Sequence, residues 1–229
     1  MTSRNDAHSP MLTLAVDTAA DSGSIALADV NGLREEVLLH APQGFSHVLF
    51  GEIEKLLARQ EVSLTDIQLF AGASGPGSFT GVRVGLSAIK GLAEVLGKKV
   101  VAVSNLEAVA EFGTSAERAV VIDARRGEVY AAVYDGAGNC LAPEVVAAFP
   151  QFISMLPAAR FEWVSQDRDV LTRLMAGTRY EEDPVITAPR ALAGAIARIA
   201  IHRKIAQDPA VIEANYVRRS DAELLYLAK

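Results

Sequence analysis

The segment that most narrows what this chain can fold into runs from Ile67 to Leu96, IQLFAGASGPGSFTGVRVGLSAIKGLAEVL. Ile67 to Ala73 is a short apolar run of the kind a strand covered on both faces requires, and Gly75-Pro76-Gly77 ends it with residues suited to tight turns. Ser78 or Thr80 then offers a side-chain oxygen to the unpaired N–H groups that open a helix.

The helix that follows leaves little surface for water. At about 100° per residue, Thr80, Arg83, Ser87, Lys90 and Glu94 fall in one narrow stripe, while Phe79, Val82, Val84, Leu86, Ala88, Ile89, Leu92, Ala93, Val95 and Leu96 fill the rest. Gly77, Gly81 and Gly85 recur every fourth residue, so part of the apolar girth carries no side chains and another backbone can come close. Each helical glycine costs roughly 1 kcal/mol against alanine, so the repetition implies a purpose. Either neighbouring elements of the same chain cover the whole girth, or one side of the helix docks on a second protein. The loop itself is a poor phosphate cradle. In a dinucleotide fingerprint the third glycine would come one residue earlier, Pro76 lacks an N–H, and the absence of a Gly-Lys-Ser/Thr ending excludes a P-loop.

The chain before and after this segment reads as two similar halves. Leu12 to Thr18 and Ser24 to Asp29 form strands, and Asn31-Gly32 turns into a third, Leu33 to His40. Ser46 caps a helix to about Gln60 with Leu49, Ile53, Leu56 and Leu57 on one face, and Lys99 to Ser104 is a strand after the long helix. A short helix reaches Phe112, and Gly113 to Glu117 reads as a boundary. A second meander follows in Ala119–Ala124, Glu128–Tyr134 and Cys140–Ala148, then a helix Gln151–Leu156, a strand Phe161–Ser165 and helices Asp167–Ala176 and Pro189 to about Lys204. A meander followed by alternating helices and strands, twice over, predicts mixed-sheet α/β halves: a first lobe over 11–104, and a second over 105–229 whose C-terminal segment packs back on the first.

Bulk properties exclude several function classes. Half of the 229 residues are hydrophobic, enough for one substantial core or two small ones, and the formal charge of −6 argues against gripping nucleic acid unaided. The single cysteine, Cys140, cannot form an internal disulfide, which fits a reducing cytoplasm. Residues 1–10 are polar, lack an apolar signal core and are expected to be a disordered tail. No run approaches the ~20 apolar residues of a membrane span.

Candidate chemistry is sparse. The histidines His8, His40, His47 and His202 lack the i, i+4 pairing of a zinc helix, so no metal is expected. Asp17 and Thr18, with Asp21, Ser22 and Ser24, could hold a phosphate or magnesium, or could simply satisfy turn backbone. In Asp123-Ala-Arg125-Arg126-Gly127-Glu128, an arginine could grip a phosphate or a partner's carboxylate, or could pair with Asp123 or Glu128 across the turn. Asn215-Tyr216-Val217-Arg218-Arg219 is a second basic-aromatic patch, or a surface segment with one anchored tyrosine.

Taken together, Ser74–Gly85 with Ala88–Ala93, Asp123–Tyr130 and Tyr216–Arg218, with Ala15–Thr18 and Ser46-His47, resemble the TsaB family. The resemblance runs in order from about Met11 to Arg219 and is loose after Cys140. It implies a two-lobed actin-like, sugar-kinase and heat-shock ATPase fold. It also implies a non-catalytic cytoplasmic subunit of the bacterial complex that adds threonylcarbamoyl to the adenosine beside the tRNA anticodon. The implied partners are a TsaD-like catalytic paralogue and a TsaE-like ATPase, with tRNA reached only through the complex and a homodimer when alone. No cofactor of its own is implied, ATP or ADP sitting at the complex interface. The first-lobe helices would form that interface through His47, Phe50, Ile53, Glu54, Leu57, Gly81, Val84, Gly85, Ala88 and Leu92, while Asp17, Thr18, Arg83, Arg125, Arg126 and Arg218 would face nucleotide or tRNA. The residues agree that catalysis lies elsewhere: there is no HxxxH metal spacing and no Gly-Gly pair to approach phosphates. A small phosphotransferase using Asp17 and the Gly75 loop, and a homodimeric scaffold, are the alternatives.

Overall fold

Backbone pairing begins with an antiparallel meander, β1 (Thr13–Asp17), β2 (Gly23–Asp29) and β3 (Gly32–Leu39), in a computed structural model that describes residues 11–203, 205–215 and 217. The segment 1–10 and Arg218 lie outside the described residues. Asp29 accepts the Asn31 N–H at 2.7 Å and pairs with Arg34, which fixes the turn read from Asn31-Gly32. A 3-10 turn, Phe45–His47, leads into α1 (Leu49–Arg59), then β4 (Leu69–Gly75), α2 (Phe79–Leu96) and β5 (Lys99–Ser104). The resulting sheet has the order β3-β2-β1-β4-β5, with β1, β4 and β5 parallel.

The second half repeats that plan. After α3 (Asn105–Ala110) come β6 (Glu117–Asp123), β7 (Glu128–Asp135), β8 (Cys140–Ala148), α4 (Phe149–Met155), β9 (Glu162–Ser165), α5 (Arg168–Met175), β10 (Val185–Thr187) and α6 (Ala193–His202). Its sheet order, β10-β9-β6-β7-β8, is the first order reversed, with the meander again on one side and parallel strands on the other. Two mixed sheets with helices on their faces make a two-lobed α/β architecture.

Two cores hold these layers. Leu14, Val16, Ile25, Phe70 and Val103 pack with α1, α2, α3 and α6, and the same core reaches the inner face of the second sheet at Val120, Ala132 and Val164. The outer face of the second sheet is aromatic: Trp163 lies 5.2 Å from Tyr180 and 5.6 Å from Phe149, ring centre to ring centre, with Phe152 and Phe161 beside it. Buried Asp183 accepts the Phe161 N–H at 3.0 Å and the Arg160 guanidinium at 2.8 Å.

Several boundaries differ from the sequence reading. Ser46 lies in the 3-10 turn rather than capping α1, whose first turn follows Val48 without a side-chain cap. Of the helix expected from Pro189, α6 begins only at Ala193, because its cap comes from the first sheet: Ser24 Oγ accepts the Leu192 and Ala193 N–H groups at 3.0 and 2.9 Å, and Glu36 accepts that of Gly194 at 2.7 Å. This helix packs across β1 and β2, so the C-terminal half of the chain contributes to the first lobe. The three-residue β10 lies between Pro184 and Pro189, too short to show periodicity.

The larger correction concerns α2. The glycine notches are filled by the chain's own atoms, backbone at Gly81 and the Thr18 side chain at Gly85, so neither faces a partner. A Cβ on Gly81 would stand 2.0 Å from the Thr18 carbonyl oxygen, one on Gly77 2.3 Å from that of Ala19, and one on Gly85 2.5 Å from Thr18 Oγ1. Ala88 is likewise buried, and so are Ile53 and Leu57 on α1, which belong to the lobe's core. By contrast Gly91, midway along α2, is exposed, and a Cβ there would meet nothing within 4 Å.

These two glycines should therefore respond oppositely to one methyl group. Gly81→Ala has to displace the Thr18 backbone and is expected to cost about 3 kcal/mol, the upper end for overpacking, lowering Tm by roughly 6–12 °C. Gly91→Ala should gain about 1 kcal/mol of helix propensity and raise Tm by roughly 2–4 °C. Thermal unfolding followed by circular dichroism on the isolated chain checks both signs.

Candidate functional site

Helices α1 and α2 lie side by side on one face of the first sheet, since α6 with α3 covers the other. Their apolar stripes turn inward, with Leu49, Ile53, Leu56 and Leu57 of α1 buried. Between them a groove of about 350 Å³ remains open, floored by Ile53 and Leu57 and walled by Phe50, Val62, Leu64 and Leu92. Phe50 is 56% exposed on its rim, an uncovered aromatic ring beside an apolar trough. Glu54 stands on the same rim, exposed and without a polar partner among the described residues. Gly51, next to Phe50 in sequence, resembles Gly91 in having nothing within 4 Å of a Cβ.

The remaining sequence candidates on these helices are spread around this groove. His47 is exposed in the 3-10 turn, Val84 is half-buried, and Leu92 alone of the α2 candidates lines the groove. Arg83 is exposed and lays its guanidinium over the Phe79 ring, 3.7 Å from the centroid.

A second concavity, about 540 Å³, separates the lobes and is lined by Asp21, Gly77, Ser78, Asp123, Arg125 and Arg190 among others. Asp17 and Thr18 do not line it, which corrects their reading as ligand groups. Thr18 Oγ1 donates to the Gly81 carbonyl at 2.7 Å, and Asp17 accepts the Ala19 N–H at 2.9 Å and the Asn105 amide at 3.2 Å. Burial holds the Asp17 carboxyl above the usual carboxylate range, although both hydrogen bonds favour its ionised form.

At the cleft mouth Arg125, Arg126 and Gly127 all adopt left-handed φ values of 64°, 57° and 77°. The Asp123 carboxylate accepts the Arg125 N–H at 2.8 Å, which supports the turn. The Arg125 guanidinium does not pair across its own turn; it reaches Asp21 of the first lobe at 2.7 Å. Both side chains are exposed, so this bridge contributes at most about 1 kcal/mol. Among the described residues, no three His, Cys, Asp or Glu side chains gather as a metal-binding group, and no helix is long and apolar enough to cross a membrane.

Sequence reasoning missed a strap. Gln207 exchanges both backbone hydrogen bonds with Val100 on the edge of the first sheet, and Lys90 of α2 donates to the Ile212 carbonyl at 2.6 Å. Farther on, the Asn215 N–H donates to the Ser74 carbonyl at 2.7 Å, and its side-chain amide to Glu144 of β8 at 2.5 Å. Lys90 reads as solvated in the helical wheel, but its contact lies 122 residues away, and only the Pro209 turn hints at order there.

Comparison with known proteins gives consistent findings. The family model for TsaD, tRNA N6-adenosine threonylcarbamoyltransferase, matches residues 40–174, more than half of the chain. The chain is 37% identical over 128 residues to the tRNA threonylcarbamoyladenosine biosynthesis protein TsaB of Escherichia coli, covering 54% of this chain and 55% of that protein. It is 33% identical over 126 residues to the protein of the same name from Bacillus subtilis, again covering 54% and 55%. The chain thus spans about half the length of the curated relatives it matches. A solved structure from Pseudomonas aeruginosa, described as similar to peptidase YeaZ, superposes with a TM-score of 0.77 over 90% of this chain and 99% of that one, at 24% identity, a likeness of fold.

The buried Asp17 makes stability pH-dependent in a definite sense. A carboxyl whose pKa is raised by folding binds its proton more tightly in the native state, so its contribution is present below the ordinary carboxylate range and is lost as pH rises through the folded value. Asp17→Asn keeps the acceptor for Ala19 and removes the titration. The Tm of this variant relative to the parent should climb as pH rises above the ordinary carboxylate range, about 4. A difference that stays flat or falls above that range would contradict the assignment.

Proposed function

This chain belongs to the tRNA N6-adenosine threonylcarbamoyltransferase family, and from that premise we propose that it is a protein of the TsaB type, a non-catalytic subunit of a complex that makes threonylcarbamoyladenosine in tRNA. The observation that carries the reading is the open apolar groove between α1 and α2, with Phe50 uncovered beside it. A soluble chain leaves such a trough open at a cost in exposed apolar area, which a docked surface offsets. The occupant is a TsaD-like catalytic paralogue, whose membership of the same wider family supports an equivalent helix pair, so that two helices pack against two. A specific contact of this kind buries on the order of 1,000 Å² or more in total.

The chain contributes support and not chemistry. Asp17 and Thr18 are committed to internal hydrogen bonds, and Arg125 meets Asp21 in an exposed pair, so the two strand-end groups are not free for a nucleotide. ATP or ADP then belongs to the partner and the shared interface, and a TsaE-like ATPase acts on the assembled pair. With a formal charge of −6 the chain meets tRNA through the complex, in the cytoplasm. Alone, a second copy covers the same groove.

Phe50→Asp and Gly91→Arg both sit on exposed positions and should leave the fold intact while each weakening capture of a co-expressed TsaD-like protein by about 30-fold or more, the loss of a hot-spot residue. Gel filtration of the co-expressed pair, with circular dichroism as the control for folding, checks this. Undiminished complex with both variants would remove the docking face, and ATP turnover by the chain alone would favour an enzyme.

A further inference from the structure

A larger cavity, about 800 Å³, opens between α3 and α6 on one side and β7 and β8 on the other, and none of the α1 or α2 residues line it. Its walls carry opposite charge. Glu107 of α3 and Glu111, which caps its C-terminal end, stand one turn apart, and so do Arg198 and His202 on α6, all four lining the space. The first acid is engaged: Glu107 pairs with Arg203, which also donates to the Ala102 carbonyl at 2.8 Å. Glu144 is held in place by the Ser104 hydroxyl, the Tyr134 hydroxyl at 2.7 Å and the Asn215 amide at 2.5 Å.

Two charges are left over among the described residues. Arg198 is half-buried and has no polar partner among the described residues, and Glu111 has none either. A half-buried guanidinium without a counter-charge is unfavourable, and its planar fork fits a carboxylate through two parallel hydrogen bonds. The facing acids suit an ammonium group. The volume falls in the range of small-molecule sites, about 300–1,000 Å³.

The geometry points to a binding site for a small zwitterion, an amino acid or short peptide, with its carboxylate on Arg198 and its ammonium against Glu111 and Glu144. Such a ligand bridges the first-lobe helix α6 and the second-lobe strand β8, close to where the strap ends. This site is independent of the docking face, and its test needs no partner protein.

Titration calorimetry on the full chain with trialanine, L-alanine, N-acetyl-trialanine and trialanine amide separates the requirements. Saturable binding is expected for at least one free zwitterion, with both blocked peptides at least tenfold weaker. Arg198→Met should weaken the zwitterion at least tenfold with an unchanged circular dichroism spectrum, and Glu111→Gln should weaken it while leaving N-acetyl-trialanine closer to trialanine. No saturable heat from either free zwitterion up to about 10 mM, a limit of very weak affinity, would overturn the site. Equal binding of free and blocked peptides, or zwitterion binding unaffected by Arg198→Met, would overturn it as well.

Discussion

The contact between the end of β1 and the first turns of α2 sets the position of nearly everything else. Thr18 donates its hydroxyl to the Gly81 carbonyl, and its own carbonyl oxygen fills the space where a Gly81 side chain would begin. A side chain at either Gly77 or Gly81 would meet backbone, so the helix can approach the strand this closely only along that glycine edge. Rotation of α2 about its axis is thereby fixed. Its glycine edge faces in, Leu86 and Ile89 cover Gly72 of β4, and the opposite edge, Thr80, Arg83, Ser87 and Gly91, is turned to solvent. What the lobe presents outward is therefore decided by an inward contact.

The two lobes are tied by elements that arrive late in the chain. α6 has no cap of its own and borrows Ser24 and Glu36 from the first meander, so the helix start and the strand register hold each other in place. Unpaired N–H groups at a helix start are costly when buried, and each side-chain acceptor there contributes about 1 kcal/mol. The strap then joins Val100, Lys90 and Ser74 of the first lobe to Glu144 of the second. Across the cleft mouth, by comparison, the exposed Arg125–Asp21 pair is weak and screened by salt. The joint is firm at the strap and loose at the mouth.

Local pattern made much of this legible. The strand–turn–helix at Leu69–Leu96, both meanders and the apolar face of α1 follow from period-2 and period-3.6 spacing, and the TsaB resemblance supplied the two-lobed frame they fit into. Spacing failed where the second partner lay far along the chain. It located the missing side chains at Gly81 and Gly85 but could not say whose atoms take the space, and these were the chain's own. Arg125 finds its counter-charge 104 residues away, and Ser24 caps a helix 168 residues away. Asp17 looked like a ligand group because it ends a strand; one of its two hydrogen bonds comes from Asn105, 88 residues away.

Once the inward glycines are accounted for, the outward ones become informative. Gly81 and Gly85 cost helix stability, and the close packing of Thr18 offsets that cost within the chain. Gly51 and Gly91 cost about as much per residue, roughly 1 kcal/mol, and no described residue takes up the space above them. An exposed Phe50 and an apolar groove lie beside them, each a further expense in water. These four terms fall on one helix pair and no described residue offsets them, so the proposed docking on the α1/α2 face would remove a cost that the lobe by itself carries.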